Sequence, residues 1–220
     1  MRHNLPPAIL AIGRNYADHA KEMKGDLPER PVVFMKNPAA IIANGEPIII
    51  PRICDEPHPQ VDYEGELAVI IQHDCLNVSQ NDALSCVAAY AIANDVSARW
   101  WQKHGAGGQF IRGKSFDTFC PISEPVPAES INDPQSLHLV TKLNGKIVQD
   151  ANTSQMIFSV STLIAELSRA MTLLAGTVLL TGTPSGVGAA KIPPRFLRAG
   201  DIVEISIDHL GVLRNTIEHE

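Results

Sequence analysis

The chain has few aromatic residues, no closely spaced cysteine pair, no basic block and no long apolar run, and each absence removes a class of function. Its four cysteines, Cys54, Cys75, Cys86 and Cys120, form no C-x-x-C pair and have no histidine at zinc-module spacing, so they read as reduced structural thiols. No apolar run reaches the roughly 18 residues of a membrane span, and the stretch from Met1 to Gly13 lacks the apolar region of a signal peptide. The expectation is a cytoplasmic protein without a membrane partner. The net charge of -6 is scattered, which argues against nucleic acid as a partner and requires a local cation for any small anionic substrate. Aromatics are only 5%, yet 45% of the 220 residues are hydrophobic, enough for the core of one large domain.

The apolar segments are short and punctuated by turn residues, the pattern of a β-rich α+β domain with few helices. Ala8 to Ile12, Val32 to Met35, Ile48 to Ile50, Val61 to Ile71, Ala88 to Ala93 and Thr177 to Leu180 read as strands. Asn144-Gly145 joins Leu137–Leu143 to Lys146–Val148 in a hairpin, because Asn-Gly accepts the positive φ angles of a type I′ turn. Asp201–Ile207 and Val212–Ile217 read as a second hairpin. Helices are expected at Asn15–Met23, with Asn15 or Asp18 as N-cap, and from Ser79 through Val87 and Ala88. The longest is expected at Met156–Met171, capped by Thr153 or Ser154. Residues 1–58 are read as an N-terminal segment with a lid helix packed on the main body, and 59–220 as the main domain, effectively one domain over 1–220.

Glu64-Gly65-Glu66 lies in the alternating stretch Val61–Ile71. On a strand the two glutamates project from one face with Cα atoms roughly 6.5–7 Å apart. Paired glutamates most often mark a solvated strand face, but these sit among Val, Leu and Ile. Asp95 arrives from another apolar segment, in Asn94-Asp95-Val96-Ser97. Three such carboxylates need a hard cation to stay ionised together, and Mg²⁺ or Mn²⁺ takes oxygen ligands. A divalent metal site at Glu64, Glu66 and Asp95 follows.

Two glycine-rich patterns compete with this reading. Gly108 to Ser115 satisfies G-x-x-x-x-G-K-[ST], the phosphate loop of nucleotide hydrolases. The upstream Arg99-Trp100-Trp101-Gln102 is not a buried strand, however, and Pro121 interrupts the downstream segment, so Lys114 is retained only as a fixed cation. The turn Gly182-Thr183-Pro184-Ser185-Gly186-Val187-Gly188 lacks the dinucleotide spacing. It reads as a sharp turn where backbone can approach a ligand, with Thr183 adding a hydroxyl.

Five segments in order, Gly13-Arg14-Asn15-Tyr16-Ala17-Asp18-His19-Ala20-Lys21-Glu22, Asp62-Tyr63-Glu64-Gly65-Glu66-Leu67, Asn94-Asp95-Val96-Ser97-Ala98-Arg99, Gly113-Lys114-Ser115-Phe116-Asp117 and Leu180 to Gly188, together resemble the fumarylacetoacetate hydrolase family. The resemblance runs over almost the whole chain and is closest to the compact acylpyruvate hydrolases and oxaloacetate decarboxylases. It implies a mixed β-roll, a homodimer, and Mg²⁺ or Mn²⁺ on Glu64, Glu66 and Asp95. It also implies a catalytic His19–Glu22 dyad on a segment that orders with substrate. Lys114, Arg99, Gln102 and Thr183 would line the substrate site, with Arg14, Tyr16 and Lys36 as further contacts from the lid region. Trp100 stands where the family often has an acidic residue, which points to different local packing or a different pocket.

A 2-oxo acid chelates such a metal through its carboxylate and ketone oxygens, and the metal polarises the ketone. For an acylpyruvate, His19 oriented by Glu22 would activate a water against the distal carbonyl and expel pyruvate as its enolate, with Lys114 stabilising developing charge. Oxaloacetate would reach the same enolate by loss of CO₂. The leading expectation is therefore a metal-dependent hydrolase of a small 2,4-dioxo acid. Oxaloacetate decarboxylation or tautomerisation at the same site is the alternative, and a non-catalytic binder of the same fold is the alternative of a different class.

Overall fold

The protein is described by a computed structural model over residues 5–220; Met1 to Asn4, the start of the segment read above for a signal peptide, lie outside the described residues. Among the described residues no helix is long and apolar enough to cross a membrane.

Two mixed sheets carry the chain. The larger orders its strands Val126–Pro127, Val87–Asn94, Gly65–Ile71, Val178–Leu180, Ile9–Gly13 and Val32–Lys36. The second orders Lys146–Asn152, His138–Leu143, Ile202–Ile207, Gly211–His219 and Ile48–Ile50. Most neighbours are antiparallel, but Ile9–Gly13 runs parallel to Val178–Leu180 and Gly211–His219 parallel to Ile48–Ile50. Strands from residues 9–13, 32–36 and 48–50 thus complete sheets built mainly by later residues.

Alternation along Gly65–Ile71 divides the core. Leu67, Val69 and Ile71 join the larger apolar cluster with Leu139, Val203 and Ile205 of the second sheet. Ala68 joins a smaller cluster with Ile9, Ala11, Ala91, Ala93 and Leu180. Gly65 lies where the two sheets come close together: a Cβ there would collide with Thr141 Oγ1 and come within 3.2 Å of Ile205. That close approach explains the glycine between two glutamates.

Both expected hairpins form. Asn144 and Gly145 adopt φ of 52° and 76°, and Ile202–Ile207 pairs with Gly211–His219. Three elements differ from their sequence pattern. The Val61–Ile71 stretch is split into Val61–Asp62 and Gly65–Ile71, since Val61–Asp62 pairs with Ser97–Ala98. Val87 and Ala88 belong to a strand, and only a 3-10 turn at Ala83–Cys86 precedes it; pairing of Val87–Asn94 with Gly65–Ile71 overrides the weak helical signal. The expected long helix is confined to Val160–Leu167, capped by Ser159 rather than Thr153 or Ser154. Thr153–Gln155 instead forms a separate 3-10 turn capped by Asn152.

Candidate active site

Glu66 is the second residue of its strand Gly65–Ile71, Glu64 sits just before that strand, and Asp95 just follows its neighbour Val87–Asn94. The two segments are tied where they diverge: Asp95 N–H donates to Glu64 O at 2.8 Å, and Glu64 N–H donates to Asn94 Oδ1 at 3.0 Å. The three carboxylates each present an oxygen such that all lie within 4.8 Å of one another, and all three residues are buried.

Cations knit the cluster together. Lys114 Nζ bridges Glu64 Oε2 and Asp95 Oδ2, each at 2.5 Å. Arg99 Nη1 donates to Glu64 Oε1 at 2.6 Å, while its Nε and Nη2 hold Asp62 Oδ2. Lys36 Nζ donates to Asp95 Oδ1 at 2.6 Å. Burial works against the charge on Glu64, but Lys114 and Arg99 outweigh it and hold the carboxyl well below the usual range. Glu66 is the opposite case: burial, followed by the negative charges of Asp95 and Glu64, pushes its carboxyl well above that range. Its Oε2 accepts from Gly182 N–H at 2.7 Å. A cluster in which one carboxylate makes no ion pair among the described residues, and which offers oxygen donors only, fits a hard divalent ion. Glu64, Glu66 and Asp95 could hold it.

His19 belongs to the short helix Ala17–Glu22. Asn15, one of the expected caps, serves a different purpose. Its side chain donates to Phe158 O and Thr181 O and accepts from Phe158 N–H, so it clips the helix approach to the glycine turn. His19 Nδ1 lies 2.8 Å from Glu22 Oε1, and Glu22 Oε1 and Oε2 accept from Gly186 N–H at 3.1 and 2.9 Å. Gly186 has φ of 112°, and a Cβ there would collide with Val148 O. Only glycine lets that amide reach Glu22. Thr183 Oγ1 donates to Gly65 O at 3.0 Å and accepts from Gln149 Nε2.

These groups surround one cavity of about 270 Å³, whose wall includes Arg14, His19, Glu64, Glu66, Arg99, Gln102, Lys114 and Thr183. Tyr16 and Lys36, expected as contacts from the lid region, are not part of the wall. Lys36 is buried against Asp95. Tyr16 is also buried; its hydroxyl finds no hydrogen-bond partner among the described residues, and burial together with the Glu66 charge pushes the phenol up.

The sequence matches the Fumarylacetoacetate (FAA) hydrolase C-terminal family over residues 8–218. The chain belongs to the fumarylacetoacetate hydrolase family. It is 43% identical over 213 residues to a mitochondrial oxaloacetate tautomerase of Xenopus laevis, covering 96% of this chain and 66% of that protein. It is 46% identical over 212 residues to an oxaloacetate tautomerase of Bacillus subtilis, covering 95% and 69%. Among solved structures it resembles a 5-carboxymethyl-2-hydroxymuconate delta-isomerase from Mycobacterium smegmatis, with a TM-score of 0.84, 39% identity and coverage of 98% and 80%.

Within this family fold, the departure at Trp100 has a local explanation. Trp100 packs edge-on against Trp101 with ring centroids 5.2 Å apart, and both border a separate depression with Ile53, Glu56 and Pro57. The Trp100 and Trp101 amides donate to Gln60 Oε1. Trp100 therefore lies outside the cavity. The phosphate-loop pattern is explained as well: Phe110–Lys114 is a five-residue helix entered from a π-helical turn at Trp101–Gly105, not from a strand, and Lys114 is already held by two carboxylates.

Sequence reasoning passed over two residues of the site, Asp62 and Lys103, and one separate grouping. Asp62 joins Arg99 to the glycine turn by accepting from Gly188 and Ala189 N–H; its place in Asp62-Tyr63-Glu64 was the available signal. Lys103 reaches the cavity wall beside Arg14. His73, Cys75 and Cys86 converge at the opposite end of the Gly65–Ile71 and Val87–Asn94 pair, a grouping their spacing does not show. All four cysteines are free and buried, and burial, first among the causes, pushes the Cys75 thiol up to about 12.

Proposed function

We propose that the protein is a metal-dependent keto–enol tautomerase of a small 2-oxo dicarboxylic acid of the oxaloacetate type. The observation that carries this reading is the placement of His19, oriented by Glu22, on the wall of the cavity that also holds Glu64 and Glu66. The oxaloacetate tautomerase activity of the Xenopus and Bacillus relatives favours it over the hydrolysis expected first from the sequence.

Glu64, Glu66 and Asp95 would hold a divalent cation, which would supply Lewis acidity toward the 2-oxo group. The chain's own residues move the proton. Glu22 accepts from His19 Nδ1–H, which leaves Nε2 with its lone pair as the basic atom. Nε2 takes a proton from C3 of the keto acid while the C3–H electron pair forms the C2–C3 double bond and the carbonyl pair moves onto oxygen. Returning that proton to the oxygen completes the enol, and the reverse sequence restores the keto form. No bond to water or CO₂ is made or broken. Lys114 places positive charge beside the cluster, and buried Arg99 fixes Glu64.

The test follows the enol absorbance of oxaloacetate with chelator-stripped protein, with and without added Mg²⁺ or Mn²⁺, while pyruvate is assayed in parallel. Metal-dependent acceleration of enol–keto exchange with oxaloacetate recovered is expected. Stoichiometric pyruvate and CO₂ would instead make the protein a decarboxylase, cleavage of acetylpyruvate to acetate and pyruvate would make it a hydrolase, and no acceleration would overturn the tautomerase reading.

A further inference from the structure

Four cationic side chains reach the cavity wall, Arg14, Arg99, Lys103 and Lys114, but they are not equivalent. Arg99 and Lys114 are buried and already engaged with Asp62, Glu64 and Asp95. Arg14 and Lys103 are exposed at the outer part of the same cavity, and among the described residues neither has a carboxylate within ion-pair distance. They sit close enough that, after partial burial, the positive charges of Arg99 and Arg14 lower the Lys103 pKa. Two cations that repel each other with no anion between them both gain when one arrives. Arg14 also adopts φ of 58°, a costly conformation for a residue other than glycine. Its guanidinium lies against Gly25, where even a Cβ would come within 3.2 Å.

We propose that Lys103 and Arg14 form the subsite for the distal carboxylate of the substrate, so that they set a preference for dicarboxylic over monocarboxylic 2-oxo acids. This rests on the tautomerase reading for the position of the 2-oxo head, which occupies the buried end beside Glu64, Glu66 and Lys114. A second carboxylate then faces the outer end, where these two cations supply the charge. Lys103 is the more informative residue to change because Arg14 holds a positive φ and adjoins Asn15, whose side chain clips the His19 helix.

The experiment uses the metal-loaded protein with Lys103→Gln and Lys103→Arg. Oxaloacetate turnover is measured together with calorimetric binding of oxaloacetate and of oxalate, which has the chelating head and no distal arm. For Lys103→Gln, KM and Kd for oxaloacetate are expected to rise about tenfold, the loss of one charge-assisted hydrogen bond, with kcat changed less than about twofold on the same basis. Lys103→Arg should restore KM, and oxalate binding should not change. Equal weakening of oxalate and oxaloacetate, or no weakening of either, would overturn the subsite. If the unmodified protein proves inactive as a tautomerase yet loses oxaloacetate affinity selectively in Lys103→Gln, the subsite stands and the reaction reading fails.

Discussion

The carboxylate cluster and the His19 helix face the same cavity but are built in different ways. Glu66 lies on a central strand, with Glu64 and Asp95 immediately beside paired strand ends, and several buried ion pairs fix their positions. His19 sits on a six-residue helix whose N-cap, Tyr16, makes no side-chain capping bond. Such a helix has little intrinsic stability; tertiary contacts hold it, chiefly the Asn15 clip and the Glu22–Gly186 bonds. Binding a cation requires oxygens fixed to fractions of an ångström, which a sheet provides. Proton transfer requires a base that can approach and withdraw, which a lightly tethered helix allows. The difference implies that metal affinity and turnover can be separated by mutation.

The largest effect should come from the cluster. Glu66→Gln removes one of the proposed metal ligands without stranding a cation, since among the described residues Glu66 makes no ion pair and Gln can still accept from Gly182 N–H. Metal binding by calorimetry should be lost, and kcat/KM should fall roughly 10³–10⁴-fold, the equivalent of several kcal/mol of Lewis-acid stabilisation. The melting temperature of the metal-free protein should hold or rise, because the replaced carboxyl is the one that burial and its neighbours disfavour as an anion. Asp95→Asn should behave differently, because it leaves Lys36 buried without its carboxylate, a change expected to destabilise by about 3–5 kcal/mol. Equal melting temperatures for the two variants would contradict the assigned charge arrangement.

The next effect belongs to the helix. His19→Gln should leave metal affinity within about twofold, as expected of a residue outside the ligand set, and lower kcat by about 10²–10³-fold, the contribution of a general base. Loss of metal binding in this variant would break the distinction between the regions; unchanged kcat would remove His19 from proton transfer.

That distinction also explains what was legible in the sequence. Strand alternation, the Asn144-Gly145 turn and the run of motifs in order conveyed a β-rich fold and put Glu64 and Glu66 on one strand face, because those signals are local and sheet pairing preserves them; Asp95 was joined to them by the chemistry of a third carboxylate in an apolar segment. Boundaries that depend on distant partners were not legible. The helix pattern from Met156 stops short of that residue because Ile157 N–H donates to Asn15 O and Met156 pairs with Tyr16, more than a hundred positions away. Lys36 appeared to belong with a lid, yet it is committed to Asp95 across the fold. Lys103 carried no signal, since an isolated lysine in a turn is ordinary and only the cavity gives it a neighbour.

The smallest of these effects should come from Glu22→Gln, where the link between the regions is altered without removing the base. Glu22 offers acceptors to both His19 Nδ1–H and Gly186 N–H. A glutamine has one acceptor oxygen and one donor nitrogen. If its oxygen stays on Gly186, its amide faces His19 Nδ1 as a donor and favours the tautomer with the proton on Nε2, the atom required to accept one. If it turns its oxygen to His19, donor meets donor at Gly186 and the helix loses its tether. Either arrangement should lower kcat by about 10–100-fold, the usual cost of changing an orienting partner, while leaving metal binding intact. The two are distinguishable by amide exchange: faster exchange at Gly186 with slow turnover indicates a lost tether, and unchanged exchange with slow turnover indicates the wrong tautomer. Full activity with unchanged exchange would show that Glu22 does not orient the base, and full activity with faster exchange would show that the Asn15 clip is enough to hold the helix.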